Sequence, residues 1–144
     1  MLKQVLYVLS LSQMFMAAIL ILAGSAGPAL SHSSQLELEV LEITKVYDGD
    51  TFKVNLNCTV DLFCKNISIR PTNYDAFELR DPVNKRQARA AREKLKSLLT
   101  NAQRVELRNV RRGKYFRLVA DVYVDDRRLS DIMLSTGLVK PYGK

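Results

Sequence analysis

Apolar and polar residues alternate along residues 35–46, QLELEVLEITKV, and again along 51–56, TFKVNL. A period of two turns one face of each stretch toward a core, so both are predicted strands. KNISIR (65–70), QRVELRNV (103–110) and FRLVADVYV (116–124) bring the series to five. Val54, Ile69, Val105, Leu107, Val119 and Val122 are the expected inward positions. Between the third and fourth strands the period lengthens. Val83, Ala88, Ala91, Leu95, Leu98 and Leu99 recur at helical spacing, with basic residues over much of the remaining surface. Asp81-Pro82 supplies an N-cap and a first-turn proline, which predicts a helix over 82–100. Asp125-Asp126 marks a turn, and a short helix over 129–136 is expected to stop at Gly137. Three strands, a helix, two strands and a helix fit a five-stranded antiparallel OB-type barrel with flanking helices. The same order also fits an open α+β sheet, and the pattern alone leaves both open.

One interruption carries more than folding information. In KVYDGDTFKV (45–54), Asp48 and Asp50 flank Gly49 between the first two strands. Asp-Gly alone can build a hairpin turn. The second carboxylate is then left over, as a solvated turn residue or as half of a metal site completed further along.

The first 31 residues read differently from the rest. Lys3 is their only charge, an apolar block is densest at MFMAAILIL (14–22), and small residues follow. This is the order of a secretory signal peptide, with cleavage after Ala26 or Ser31 and Ser31 favoured. An uncleaved anchor is the alternative, although Ser10, Ser12 and Gln13 interrupt the 5–22 stretch. Either reading puts the remainder outside the cytoplasm, periplasmic, secreted or membrane-anchored. Residues 32–35 form a polar linker and 36–144 the folded domain, roughly 110 residues and enough for one core. The leader holds one of the 22 Lys and Arg and none of the 15 Asp and Glu, so the remainder is strongly basic. That balance favours polyanions without choosing among them. Cys58 and Cys64 are the only cysteines, and an oxidising compartment favours a disulfide between them. A ring that small contributes about 2 kcal/mol of loop entropy. His32, the only histidine, lies at the leader boundary. Ser-His and Cys-His nucleophiles are therefore disfavoured, and acid–base work falls to carboxylates, Lys or Tyr.

Those groups cluster in two stretches. IRPTNYDAFELR (69–80) holds Arg70, Asp75 and Glu78, and RRGKYFRLVADVYV (111–124) holds Lys114, Tyr115 and Arg117. Together with Asp50 they could serve a phosphodiesterase. A hard divalent cation takes carboxylate and carbonyl oxygens, which Asp50, Asp75 and the Ala76 carbonyl offer. Glu78 could orient or deprotonate a water. Arg70 and Arg117 could grip a phosphate in forked pairs as charge builds. By spacing alone each residue is as well explained as a turn acid, a loop carboxylate or a surface ion-pair partner.

Taken in order, VYDGDTF, IRPTNYDAFE, GKYFRLVADVYV and LSDIMLSTGLVKPYGK resemble the staphylococcal nuclease (thermonuclease) family, from about Val40 to the C-terminus. The resemblance implies an OB-fold barrel and a calcium-dependent nuclease acting on DNA and RNA; the chain is expected to be a monomer. It puts the calcium carboxylates at Asp50 and Asp75, the carbonyl ligand at Ala76 and the water-orienting base at Glu78. It makes Arg70 and Arg117 the phosphate-binding arginines. Lys114 and Tyr115 become holders of a terminal nucleotide phosphate, and Asp48 an acid near the metal. Phe77 stands where the family commonly has proline, PTNY (71–74) replaces apolar and glycine residues, and Phe116 stands where glycine often precedes the second arginine. A catalytically weak or inactive OB module that binds nucleic acid or another polyanion is the alternative.

Overall fold

The computed structural model describes residues 37–142; the expected leader and linker lie outside them, as do Leu36, Gly143 and Lys144. Strands β1 (Leu38–Asp48), β2 (Thr51–Leu56) and β3 (Ile67–Pro71) run as an antiparallel meander. A four-residue helix α1 (Asp61–Cys64) lies in the β2–β3 connection, inside the ring closed by the Cys58–Cys64 disulfide. A short strand β4 (Tyr74–Ala76) precedes helix α2 (Lys85–Asn101). Then come β5 (Val105–Arg112), β6 (Leu118–Val124), the two-residue β7 (Arg127–Arg128), helix α3 (Leu129–Ser135) and β8 (Val139–Pro141). The sheet order is β3-β2-β1-β5-β6, and a β3–β6 pairing closes it into a five-stranded barrel. Pairing is antiparallel everywhere around the barrel except at that closing seam, which is parallel. The open sheet is thereby excluded.

The barrel interior follows from the period-two pattern. Phe52, Val54 and Leu56 alternate inward from β2, and Ile69, Leu107 and Val122 meet them from β3, β5 and β6. Five of the six expected inward residues are buried. Val119 is only half-buried; Ala120, Val122 and Val124 form the inward phase of β6. Val119 and Val122 cannot share a face in a regular strand, and the inward site at the closing seam is filled by the small Ala120, paired with Pro71.

Helix α2 buries Ala88, Ala91, Leu95 and Leu99 and packs on β1. It starts three residues later than the Asp81-Pro82 signal predicts. The Asp81 carboxylate accepts the Val83 N–H (2.9 Å) and the Asn84 side-chain amide (2.7 Å), closing a turn ahead of the helix. Val83, expected on the apolar face, is left 84 % exposed in that turn. Gly137 ends α3 with φ +67°, the left-handed cap that the sequence predicts.

The DGD hairpin departs from the expected turn. Neither Gly49 nor Asp50 has positive φ, so this is not the Asp-Gly turn with two left-handed residues. Gly49 is needed for closeness. A Cβ there would stand 2.7 Å from the Cβ of Ala91 and 2.8 Å from that of Ala76. The turn therefore seats directly against α2 and β4, which fixes where Asp50 points.

Candidate active site

Asp50 is buried at 5 % exposure, in a turn between two strands, and every hydrogen bond to its carboxylate is a donation into it. Oδ2 accepts the Ala76 N–H at 2.7 Å; Oδ1 accepts the Thr51 hydroxyl at 3.0 Å and Arg70 Nη1 at 2.9 Å. The second arm of the fork, Arg70 Nη2, donates to Asp75 Oδ1 at 2.5 Å. The pairing of Phe52 with Ile69 brings the end of β3 beside the DGD turn, and β4 then carries Asp75 across. Asp75 is paired in register with Lys140 of β8, whose Nζ lies 3.5 Å from Oδ2. Asp48 accepts the Asp50 N–H at 3.2 Å.

Burial pushes the Asp50 carboxyl up to about 6; the Asp48 charge adds to this, and the Ala76 N–H and Arg70 work against it. Burial also opposes the Arg70 charge, but Asp50 and Asp75 outweigh it and raise the guanidinium pKa. The Asp50 shift is therefore a burial effect first and a charge effect second, whereas the Arg70 shift comes from its two carboxylate partners.

Arg70 opens onto a groove of about 830 Å³ that Glu78, Lys114 and Arg117 also line. Glu78 is exposed, on the connection after β4. Its backbone carbonyl accepts the Asp81 N–H at 3.1 Å, so the turn that delays α2 also anchors this segment. Phe77, beside it, has Lys140 Nζ 5.6 Å from its ring centre, a cation–π contact in place of proline's backbone restraint. The Arg70 guanidinium stands 5.9 Å from the ring of Tyr142.

The structure thus brings Asp50, Asp75 and Arg70 into direct contact and sets Glu78, Lys114 and Arg117 around the same groove. Ala76 meets the cluster through its N–H. Tyr115 and Asp48 do not line this groove; they line a second concavity, which shares Arg117 with the first. The fifth strand, expected from Phe116, begins at Leu118 as β6; Lys114, Tyr115 and Phe116, expected with Arg117 around its start, form a tight turn ahead of it. Among the described residues no three Asp, Glu, His or Cys side chains converge as a metal cluster. Two carboxylates sharing one guanidinium, with surplus negative charge, are nonetheless an all-oxygen donor set suited to a hard cation such as calcium.

Two features were not foreseen from the sequence. Lys140 reaches Asp75 through the β4–β8 ribbon, two three-residue strands too short to show a period. On the groove floor Asp121 is bound on both oxygens. Thr72 Oγ1 and Arg128 Nη2 (2.8 Å) donate to Oδ1, and Asn109 Nδ2 (2.7 Å) donates to Oδ2. Burial works against its charge, but these donors prevail and hold its carboxyl below the usual range. No local motif announces that cluster, because its members come from four segments.

A closed OB barrel whose rim gathers carboxylates and arginines beside a basic groove defines a nuclease-like domain. The model of a protein family described as staphylococcal nuclease homologue matches residues 68–143, just over half of the chain, and the chain belongs to that family. No curated protein matches the chain. The matched span includes Arg70, Asp75, Glu78, Lys114 and Arg117 but begins after Asp50, which is joined to the set by its hydrogen bond to Arg70.

Proposed function

We propose that this protein is a calcium-dependent nuclease that hydrolyses phosphodiester bonds of DNA or RNA outside the cytoplasm. The observation that carries the proposal is the Arg70 fork, which ties the buried Asp50 to Asp75 at the edge of a groove shared with Glu78 and Arg117. The basic domain and the Cys58–Cys64 disulfide support a polyanionic substrate and an oxidising compartment.

Asp50, Asp75 and the Ala76 carbonyl would hold the calcium. When bound, it would supply Lewis-acid polarisation of the phosphate and part of the charge neutralisation. Glu78 would orient a water and accept its proton as the water oxygen attacks phosphorus, while the opposite ester P–O bond breaks and the leaving sugar oxygen takes a proton from solvent water. Arg70 and Arg117 would bind the phosphate oxygens as they gain charge, most strongly at the five-coordinate stage. Lys114 would hold a neighbouring phosphate. Histidine is not needed at any step, in keeping with its absence from the folded domain beyond residue 32.

The test is digestion of single-stranded DNA and of RNA with calcium and with chelator, alongside binding at several salt concentrations. Turnover with calcium only is expected. Affinity should fall steeply between low and physiological salt, because Lys and Arg contacts release counterions. Binding without turnover in saturating calcium would leave a polyanion-binding module instead.

A further inference from the structure

The turn before β6 pays twice for its conformation. Tyr115 and Phe116 both adopt left-handed backbone, at φ 56° and 57°. For residues with a Cβ this region is strained, because the Cβ crowds the following carbonyl oxygen. Both rings are also exposed, at 85 % and 86 %, so neither gains from burial in the barrel. Bulky residues held in this region cluster at functional sites.

Opposite the turn lies a concavity of about 570 Å³, walled by Tyr47, Lys53 and Ser68. Lys45 Nζ stands 4.5 Å and Lys53 Nζ 5.8 Å from the Tyr47 ring centre, and the Arg117 guanidinium 5.8 Å from that of Tyr115. Aromatic faces interleaved with cations are the surface that takes single-stranded nucleic acid: bases stack on the rings and phosphates meet the charges. Arg117 belongs to this pocket and to the catalytic groove alike, so a strand whose phosphate it grips has a nucleotide on each side of that residue.

We propose that the Tyr47–Tyr115–Phe116 pocket receives an unstacked nucleobase adjacent to the scissile phosphate. The proposal rests on the nucleic-acid reading of the groove, since Arg117 is what connects the two. A base in a duplex is stacked on its neighbours and would have to be flipped out to reach these rings.

The experiment uses an oligothymidylate carrying 2-aminopurine at successive positions, bound to Glu78→Gln protein in chelator so that nothing is hydrolysed. Stacking on the rings should quench the probe at one position only. Phe116→Gly and Tyr47→Ala should restore its emission and weaken affinity between about fivefold and a hundredfold. Phe116→Tyr should preserve both. Glycine suits a left-handed position, so Phe116→Gly should also melt higher than the wild type, and its lost affinity would not come from misfolding. Unchanged affinity in Phe116→Gly and Tyr47→Ala, or an abasic site tolerated at every position, overturns the pocket. Wild-type turnover in calcium alongside that result would leave the nuclease reading standing. Quenching intact in a wild-type protein that cleaves nothing in calcium would overturn the nuclease reading and keep the pocket.

Discussion

Arg70→Lys is expected to lose about 10²–10³ of turnover with calcium saturating, the typical cost of one charge-stabilising donor. The reason lies in the fork. Nη1 reaches Asp50 and Nη2 reaches Asp75, so one planar group fixes two carboxylates, one in the β1–β2 turn and one on β4. A lysine ammonium is a point charge on a flexible stem and cannot hold both in register while presenting a bidentate face to phosphate. A loss of stability should accompany the loss of rate. Asp50 is almost fully buried, and a hydrogen bond removed from a buried carboxylate costs about 1–3 kcal/mol. Turnover and urea midpoint on the same preparation check this, at a temperature where the variant remains folded. Near wild-type turnover would mean that Arg70 only ties the loops together.

Asp50→Asn should raise the half-saturating calcium concentration tenfold or more, because calcium affinity follows the charge of the ligand set. It should leave maximal turnover at saturating calcium far less affected than Arg70→Lys does, which separates a metal-holding role from a transition-state role. The replacement also has a structural consequence. Thr51, Arg70 and the Ala76 N–H all donate to Asp50, so an amide nitrogen must face one of those donors in either orientation. A lowered melting temperature in chelator is therefore expected beside the calcium shift. A calcium titration of initial rates, with calorimetry of the chelated protein, measures both. An unchanged calcium midpoint would remove Asp50 from the ligand set.

How much of this was legible in the chain varies with the range of the interaction. Strands with a buried and an exposed face announce themselves by period two, and β2 does so without error: Phe52, Val54 and Leu56 go in, while Thr51, Lys53 and Asn55 stay partly out. The errors arise where a local signal is satisfied locally. Asp81-Pro82 carries helix-start chemistry, yet its carboxylate closes a turn before the helix instead. Val119 looks like a core residue, and its neighbour Ala120 takes the inward place because the β3–β6 seam sets the phase. In the site, Arg70, Asp75 and Glu78 fall within nine residues and read as a motif. Asp50 and Arg117 lie far along the chain from them, and only the ordered resemblance ties them in. The Asp121 cluster and the Lys140–Asp75 pair are tertiary from the outset, and no spacing rule could have found them.

The most direct measurement of the central claim is a single-turnover comparison of wild type and Glu78→Gln with one labelled single-stranded oligonucleotide, with calcium saturating and affinity recorded in the same reactions. Gln keeps the size of the side chain but removes its charge and with it the capacity to take a proton from water. The account predicts that Glu78→Gln binds the strand as tightly as wild type and loses at least about 10²-fold in cleavage rate, within the range expected of a positioned general base. Cleavage by Glu78→Gln at the wild-type rate would contradict it.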